Sequence, residues 1–189
     1  SERGEIVVFA LGRRRDGTIC PLDRCTDAST EGFVKRIIGV PGDTIEVRNG
    51  QLVVNGEPAE QTDLEQEFAD ERGMNRVLDE NLAGCHHRIL DYPDHPGINQ
   101  GAYTVPEDRY FMMGDNRDNS NDSRVWGTVH LDDIRGPVLI NYWSWNNRRS
   151  WLAMLNPITW IELLWGEMYW DRIGMRYECE SVPPAPATG

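Results

Sequence analysis

The stretch FVKRIIGVPGDTIEVRNGQLVVNGEPA, residues 33 to 59, leaves little freedom to the chain around it. Val40-Pro41-Gly42-Asp43 is a turn in which Pro presets φ and the following Gly supplies left-handed backbone. Asn49-Gly50 is a two-residue hairpin turn between TIEV and QLVV. Three short β-branched runs separated by such turns are too brief for helices and must pair as antiparallel strands. EIVVFALG (5–12), HRILDY, GAYTVP, RYFMM and GPVLINYWSW extend the same pattern of short strands and turns. The expected fold class is therefore mostly β, an antiparallel core with a smaller β-rich insertion. Residues 13 to 31 form a polar, Cys-containing excursion, and the acidic segment 59 to 83, poor in β-branched residues, reads as helical or loose. The expected organisation is a discontinuous core over 1–43 and 108–150, an insertion over 44–107, a Trp-rich segment over 151–178 and a Pro-rich disordered tail over 179–189.

A net charge of −12 argues against nucleic acid as a partner, because phosphate binding needs a basic footprint. The one basic run, Arg13-Arg14-Arg15 before Asp16-Gly17, is expected at a solvated hairpin end. Cys20 and Cys25 bracket a Pro-containing loop and suit a disulfide in an oxidising compartment. A zinc site joining them to Cys85-His86-His87 is disfavoured by the wide C-x4-C gap and the lack of a second Cys pair.

Between two expected strands, YFMM and VHLDDIRGPVLINYW, lies GDNRDNSNDSRVWG, residues 114 to 127. A plain surface loop is one reading of so many Asn, Asp and Ser residues. Calcium is another, but counting from Asp115 puts Arg117 at the third position, no Gly at the sixth and Trp126 at the twelfth. A scaffold for a catalytic group elsewhere is the third. Lys35 is the candidate for that group. Alternation sets Phe33, Lys35 and Ile37 on one face of their strand, with Val34, Arg36 and Ile38 on the other. Lys35 and Arg36 are either edge gatekeepers, or Lys35 is a buried amine whose pKa falls until it can act as a base. The second reading needs a hydroxyl, for which Ser120 is available, and acids for the neighbouring arginine, for which Asp115, Asp118 and Asp122 are available.

Three blocks, RGEIVVF (3–9), FVKRIIGVPGD (33–43) and GDNRDNSNDSRVWG (114–127), with echoes at HRIL (87–90) and YFMMGD (110–115), make the sequence resemble bacterial type I signal peptidase, the Ser/Lys endopeptidase of family S26. The resemblance spans residues 3 to 145. It implies an antiparallel β catalytic core of the signal-peptidase and SOS-repressor type. It also implies Lys35 as general base, Ser120 as the hydroxyl that holds the Lys35 amine, and Arg36 paired with Asp115 behind the base. Asp122 and Arg124 brace the loop, and Phe33 and Val34 lie in the strand that pairs with extended substrate and shapes shallow pockets for small P1 and P3 residues. The implied partners are signal peptides of secreted preproteins and the membrane surface. The implied location is the cytoplasmic membrane, with the catalytic domain on its extracytoplasmic face. A Ser/Lys mechanism requires no metal and no organic cofactor.

The family's nucleophile lies in a Ser-Met-x-Pro-Thr box upstream of the first block, and no such box occurs here. The chain opens on Ser1 with a strand already under way, so an N-terminal truncation is expected, and with it an inactive polypeptide. Two other readings compete: a self-cleaving Ser/Lys protease, and a non-catalytic β module that binds extended peptides. The segment 151 to 170 carries four of the seven Trp. Trp151, Trp160 and Trp165 there suit either a membrane interface or packing against the core.

Overall fold

A computed structural model describes residues 2–70, 73–93 and 98–138. Thirteen strands run in chain order: β1 (Ile6–Arg13), β2 (Ile19–Cys20), β3 (Ser29–Gly39), β4 (Thr44–Arg48), β5 (Gln51–Val54), β6 (Glu57–Pro58), β7 (Glu60–Asp70), β8 (Gly73–Leu82), β9 (Cys85–Asp91), β10 (Gln100–Thr104), β11 (Arg109–Met113), β12 (Val129–His130) and β13 (Ile134–Pro137). All their ladders are antiparallel. One sheet has the order β12-β11-β3-β1-β13, with β2 also pairing β1; a second has the order β10-β4-β5-β6; a third is β7-β8-β9.

The turn chemistry explains the connections. Asp43 N donates to the Val40 carbonyl at 3.0 Å around Pro41 and Gly42, and Gly42 has φ of 86°. At the β4–β5 hairpin Arg48 pairs with Gln51, leaving Asn49 and Gly50 both at positive φ. Ile38, Phe111 and Met113 of the large sheet pack with Ile45, Val47 and Leu52 of the second sheet in one core. Val7, Phe9, Leu11 and Ile37 fill the opposite face together with Met112, Trp126 and Val129. Cys20 and Cys25 are joined by a disulfide, and Arg14 and Arg15 sit exposed at the β1–β2 turn.

Two expectations fail. The segment 59 to 83 is not helical or loose where it is described: Glu60–Asp70 and Gly73–Leu82 are the long antiparallel strands β7 and β8. Strand β8 is paired on both sides and buries Val77, Leu78 and Leu82, and that tertiary pairing overrides weak local propensity. The acidic side chains lie mostly on β7, which is the edge of its sheet, where charge discourages further pairing. The region from Val129 onward is not one continuous strand either, because a 3-10 turn at Leu131–Asp133 separates β12 from β13. There the His130 ring accepts from Asp132 N and caps the turn. The Trp-rich segment with Trp151, Trp160 and Trp165, the tail and the strand expected beyond residue 138 lie outside the described residues.

Candidate active site

Strand β3 is paired on its two sides over different lengths. β1 pairs with it from Ser29 to Arg36, but β11 pairs with it only from Arg36 to Gly39. Residues 29 to 35 thus present one edge with no strand against it among the described residues. Phe33 stacks on Phe9 at 6.2 Å between ring centroids, and Val34 is 54% exposed, an unusual state for a β-branched residue in the middle of a sheet. Lys35 follows at the point where the open edge ends.

The Lys35 Nζ donates to Ser120 Oγ at 2.9 Å across 85 residues of chain. Burial pushes the amine below the ordinary lysine value; Asp122 and Asp115 pull it back up, and Arg124 adds to the depression. Such an amine is neutral more readily than a surface lysine, and the hydroxyl fixes where its lone pair can point. Arg36 grips Asp115 in a bidentate pair, Nε to Oδ1 and Nη2 to Oδ2 both at 2.8 Å, while its Nη1 donates to the Gly4 carbonyl at 2.7 Å. One buried guanidinium therefore ties the start of the chain, β3 and the polar loop together. Asp122 accepts from Arg124 Nε at 2.8 Å and Nη2 at 2.7 Å, accepts Gly114 N at 3.2 Å, and caps the short helix α1 (Ser123–Trp126). Asp118 accepts from Tyr92 N at 2.7 Å. All nine residues singled out in the sequence for this site, Phe33, Val34, Lys35, Arg36, Asp115, Asp118, Ser120, Asp122 and Arg124, thus lie on β3 or the loop that meets it.

The Asp122–Arg124 pair is almost wholly buried, with side-chain exposures of 0% and 1%. Removing one partner strands a charge, so Asp122→Ala is expected to lower the unfolding free energy by about 3–5 kcal/mol. Urea titration of the parent and variant checks this, and equal midpoints would show that the pair braces nothing.

Three features were not foreseen from the sequence. Gly114 sits so close to the site that a Cβ there would lie 2.3 Å from Ser120 Oγ and 3.1 Å from Lys35 Nζ. The loop is also stitched to β9: Leu90 N donates to the Asp115 carbonyl at 2.8 Å, and Leu90 bridges Asn116 in parallel. Finally, Arg117 pairs with Glu80 of β8. One available signal went unused: Lys35 is the single lysine of the chain, and the other basic residues are all arginines.

Residues 1–143 match the family model described as signal peptidase, peptidase S26. A probable signal peptidase I-2 from Synechocystis sp. is 33% identical over 143 residues, covering 75% of this chain and 48% of that protein. Signal peptidase IB from Staphylococcus aureus is 30% identical over 145 residues, covering 77% of this chain and 62% of that protein. The chain thus spans about half to three-fifths of the length of these relatives. A solved signal peptidase I from Enterococcus faecalis superposes with a TM-score of 0.42 and 24% identity, over 73% of this chain and 96% of the other.

Proposed function

The chain belongs to the signal peptidase family, peptidase S26, and from that membership we propose that it carries the general base and the peptide-pairing edge of a membrane-bound serine endopeptidase that removes signal peptides from secreted preproteins. The observation that carries the reading is the half-buried Lys35 amine, lowered in pKa and held by Ser120 at the end of an open strand edge. An arginine there would serve as a charge but never as a base. In the proposed reaction neutral Lys35 takes the proton of a nucleophilic serine hydroxyl as its oxygen attacks the scissile carbonyl. The resulting ammonium returns that proton to the departing amine. Lys35 then activates a water that hydrolyses the acyl-enzyme. The nucleophile belongs to the Ser-Met-x-Pro-Thr box, which no stretch of these 189 residues matches, so this polypeptide by itself is proposed to be inactive.

The substrate would add to residues 29 to 35 of β3 as an extended strand, its backbone satisfying the unpaired N–H and C=O groups, with small P1 and P3 residues packing near Phe33 and Val34. Action on the extracytoplasmic face of the cytoplasmic membrane accords with the Cys20–Cys25 disulfide, a bond that persists in oxidising compartments. Among the described residues no helix is long and apolar enough to cross a membrane.

The test uses the single lysine. Isotope-labelled lysine gives one side-chain signal, whose pH titration is expected to fall below that of a lysine model peptide. Peptides ending in a small-x-small cleavage motif are expected to shift signals of residues 29 to 35, and Val34→Trp is expected to weaken that binding by filling the space beside the edge. An ordinary titration would remove the base, and binding unaffected by Val34→Trp would remove the edge.

A further inference from the structure

The polar loop holds two arginines, and β3 brings a third against it, but two loop carboxylates are already committed: Asp115 to Arg36 and Asp122 to Arg124. Arg117, three residues before Ser120, has its counter-charge elsewhere. It reaches Glu80 on β8 in the neighbouring sheet, donating through Nη1 at 2.9 Å and also through Nη2. Glu80 is fully buried and Arg117 is 4% exposed on its side chain. Burial alone would push the Glu80 carboxyl up, but the Arg117 charge and the donated hydrogen bonds outweigh it and hold the group ionised well below the usual range. Gln61 Nε2 donates to the same carboxylate at 2.9 Å. His87 Nε2 stands 3.3 Å away, in ion-pair range but without hydrogen-bond geometry.

The pair belongs to a continuous path. The Arg117 carbonyl accepts Arg124 Nη2 at 2.6 Å, Arg124 holds Asp122, and Asp122 takes the N–H of Gly114, which lies against both Ser120 and Lys35. Two further bonds run alongside it, from Leu90 N to the Asp115 carbonyl and from Tyr92 N to the Asp118 carboxylate. We propose that Glu80 is a positioning residue for the Lys35 base: by neutralising Arg117 it keeps the 115–120 segment folded against β8 and β9, which is what brings Ser120 to the amine. The proposal rests on the reading of Lys35 as base. Its physical content is simple. With Glu80 neutral, Arg117 keeps only the charges of Asp115 and Asp122, already paired with Arg36 and Arg124, so its burial becomes costly and drives it toward water. The segment that moves with Arg117 carries Ser120. Lys35 then loses its hydroxyl and gains solvent, while facing the same Asp115, Asp122 and Arg124 with altered geometry.

Glu80→Gln keeps the shape of the side chain and removes the charge. In this chain the Lys35 signal is expected to titrate at higher pH than in the parent, closer to an ordinary lysine. In the active enzyme carrying its nucleophile, kcat/KM at neutral pH is expected to fall about 10- to 100-fold, the range that follows a misplacement near 1 Å. The loss should lie in kcat and shrink as the pH is raised, because more of the amine is then neutral. Glu80→Asp retains the charge at a shorter reach and is expected to show the same pH-dependent loss at smaller size; it carries the test if Glu80→Gln does not fold. A loss equal at every pH, with Lys35 titrating as in the parent, overturns the proposal and leaves Glu80 as a plain buried pair. An ordinary lysine titration in the unaltered chain instead overturns the base reading beneath it, so the two failures are distinct.

Discussion

Lys35→Met is expected to abolish preprotein cleavage by the nucleophile-carrying enzyme, by at least about 10³-fold, while making the fold more stable at neutral pH. The loss of activity follows from the role: methionine fills the same space and accepts no proton. The gain in stability follows from linkage. The folded pKa of Lys35 lies below its unfolded value of 10.5, so between the two the unfolded chain binds more protons than the folded one. Stability therefore rises with pH across that interval, and the destabilising effect of the buried amine is fully present below it. A methionine at 35 removes the effect. The variant should melt above the parent at neutral pH, with the difference narrowing as the pH climbs toward 10.5. Thermal melts over a pH series and a cleavage assay check both parts. Residual turnover near the parent level, or a lower melting temperature at neutral pH, would set the assignment aside.

In the nucleophile-carrying enzyme Gly114→Ala is expected to have the second-largest effect, a loss of about 100-fold or more in kcat with little change in KM. The added methyl would lie 2.3 Å from Ser120 Oγ, 2.7 Å from Ser120 Cβ and 3.1 Å from Lys35 Nζ. Each is tighter than ordinary contact, and two of them are to the residue proposed to keep the amine in place. The carbon can be admitted only if Ser120 moves off. A spectroscopic check is direct: the single lysine signal should shift and titrate nearer the ordinary value. A variant with parental turnover and an unmoved lysine signal would show that Ser120 is not needed at the amine.

How far the fold was legible depended on where its determinants sit. Val40 to Asp43 and Asn49-Gly50 announce themselves, because turn geometry is a property of adjacent residues. Lys35 was marked by its apolar neighbours, and the polar loop by its composition. Strand β8 was not legible: Val77, Leu78 and Leu82 are spread among Asp, Glu and Asn, and it is a strand because β7 and β9 flank it. Glu80 was invisible for the same reason, being one acid in an acid-rich segment until Arg117 is seen opposite it. Gly114 has an ordinary turn-like context, and its necessity comes from a side chain six positions on and an amine on another strand. The use of arginine at every basic position but one was legible and is chemically pointed. Wherever a fixed positive charge suffices the chain carries a group that stays protonated, and the one side-chain amine able to become neutral is Lys35, the proposed base.

The contact between Lys35 and Ser120 closes a loop of 85 residues, and all of β4 to β11 lies inside that loop. Closing so long a segment carries a larger entropic penalty than closing a neighbouring hairpin, so the β4–β5 turn can form early while this contact waits. Ser120 also comes late in the chain, so a polypeptide emerging in order exposes Lys35 long before its partner exists. A half-made molecule therefore holds an ordinary, solvated lysine in place of the proposed base. On the proposed reading of Lys35 as base, basicity at this position becomes a report on completed folding, and the timing device is nothing more than sequence separation.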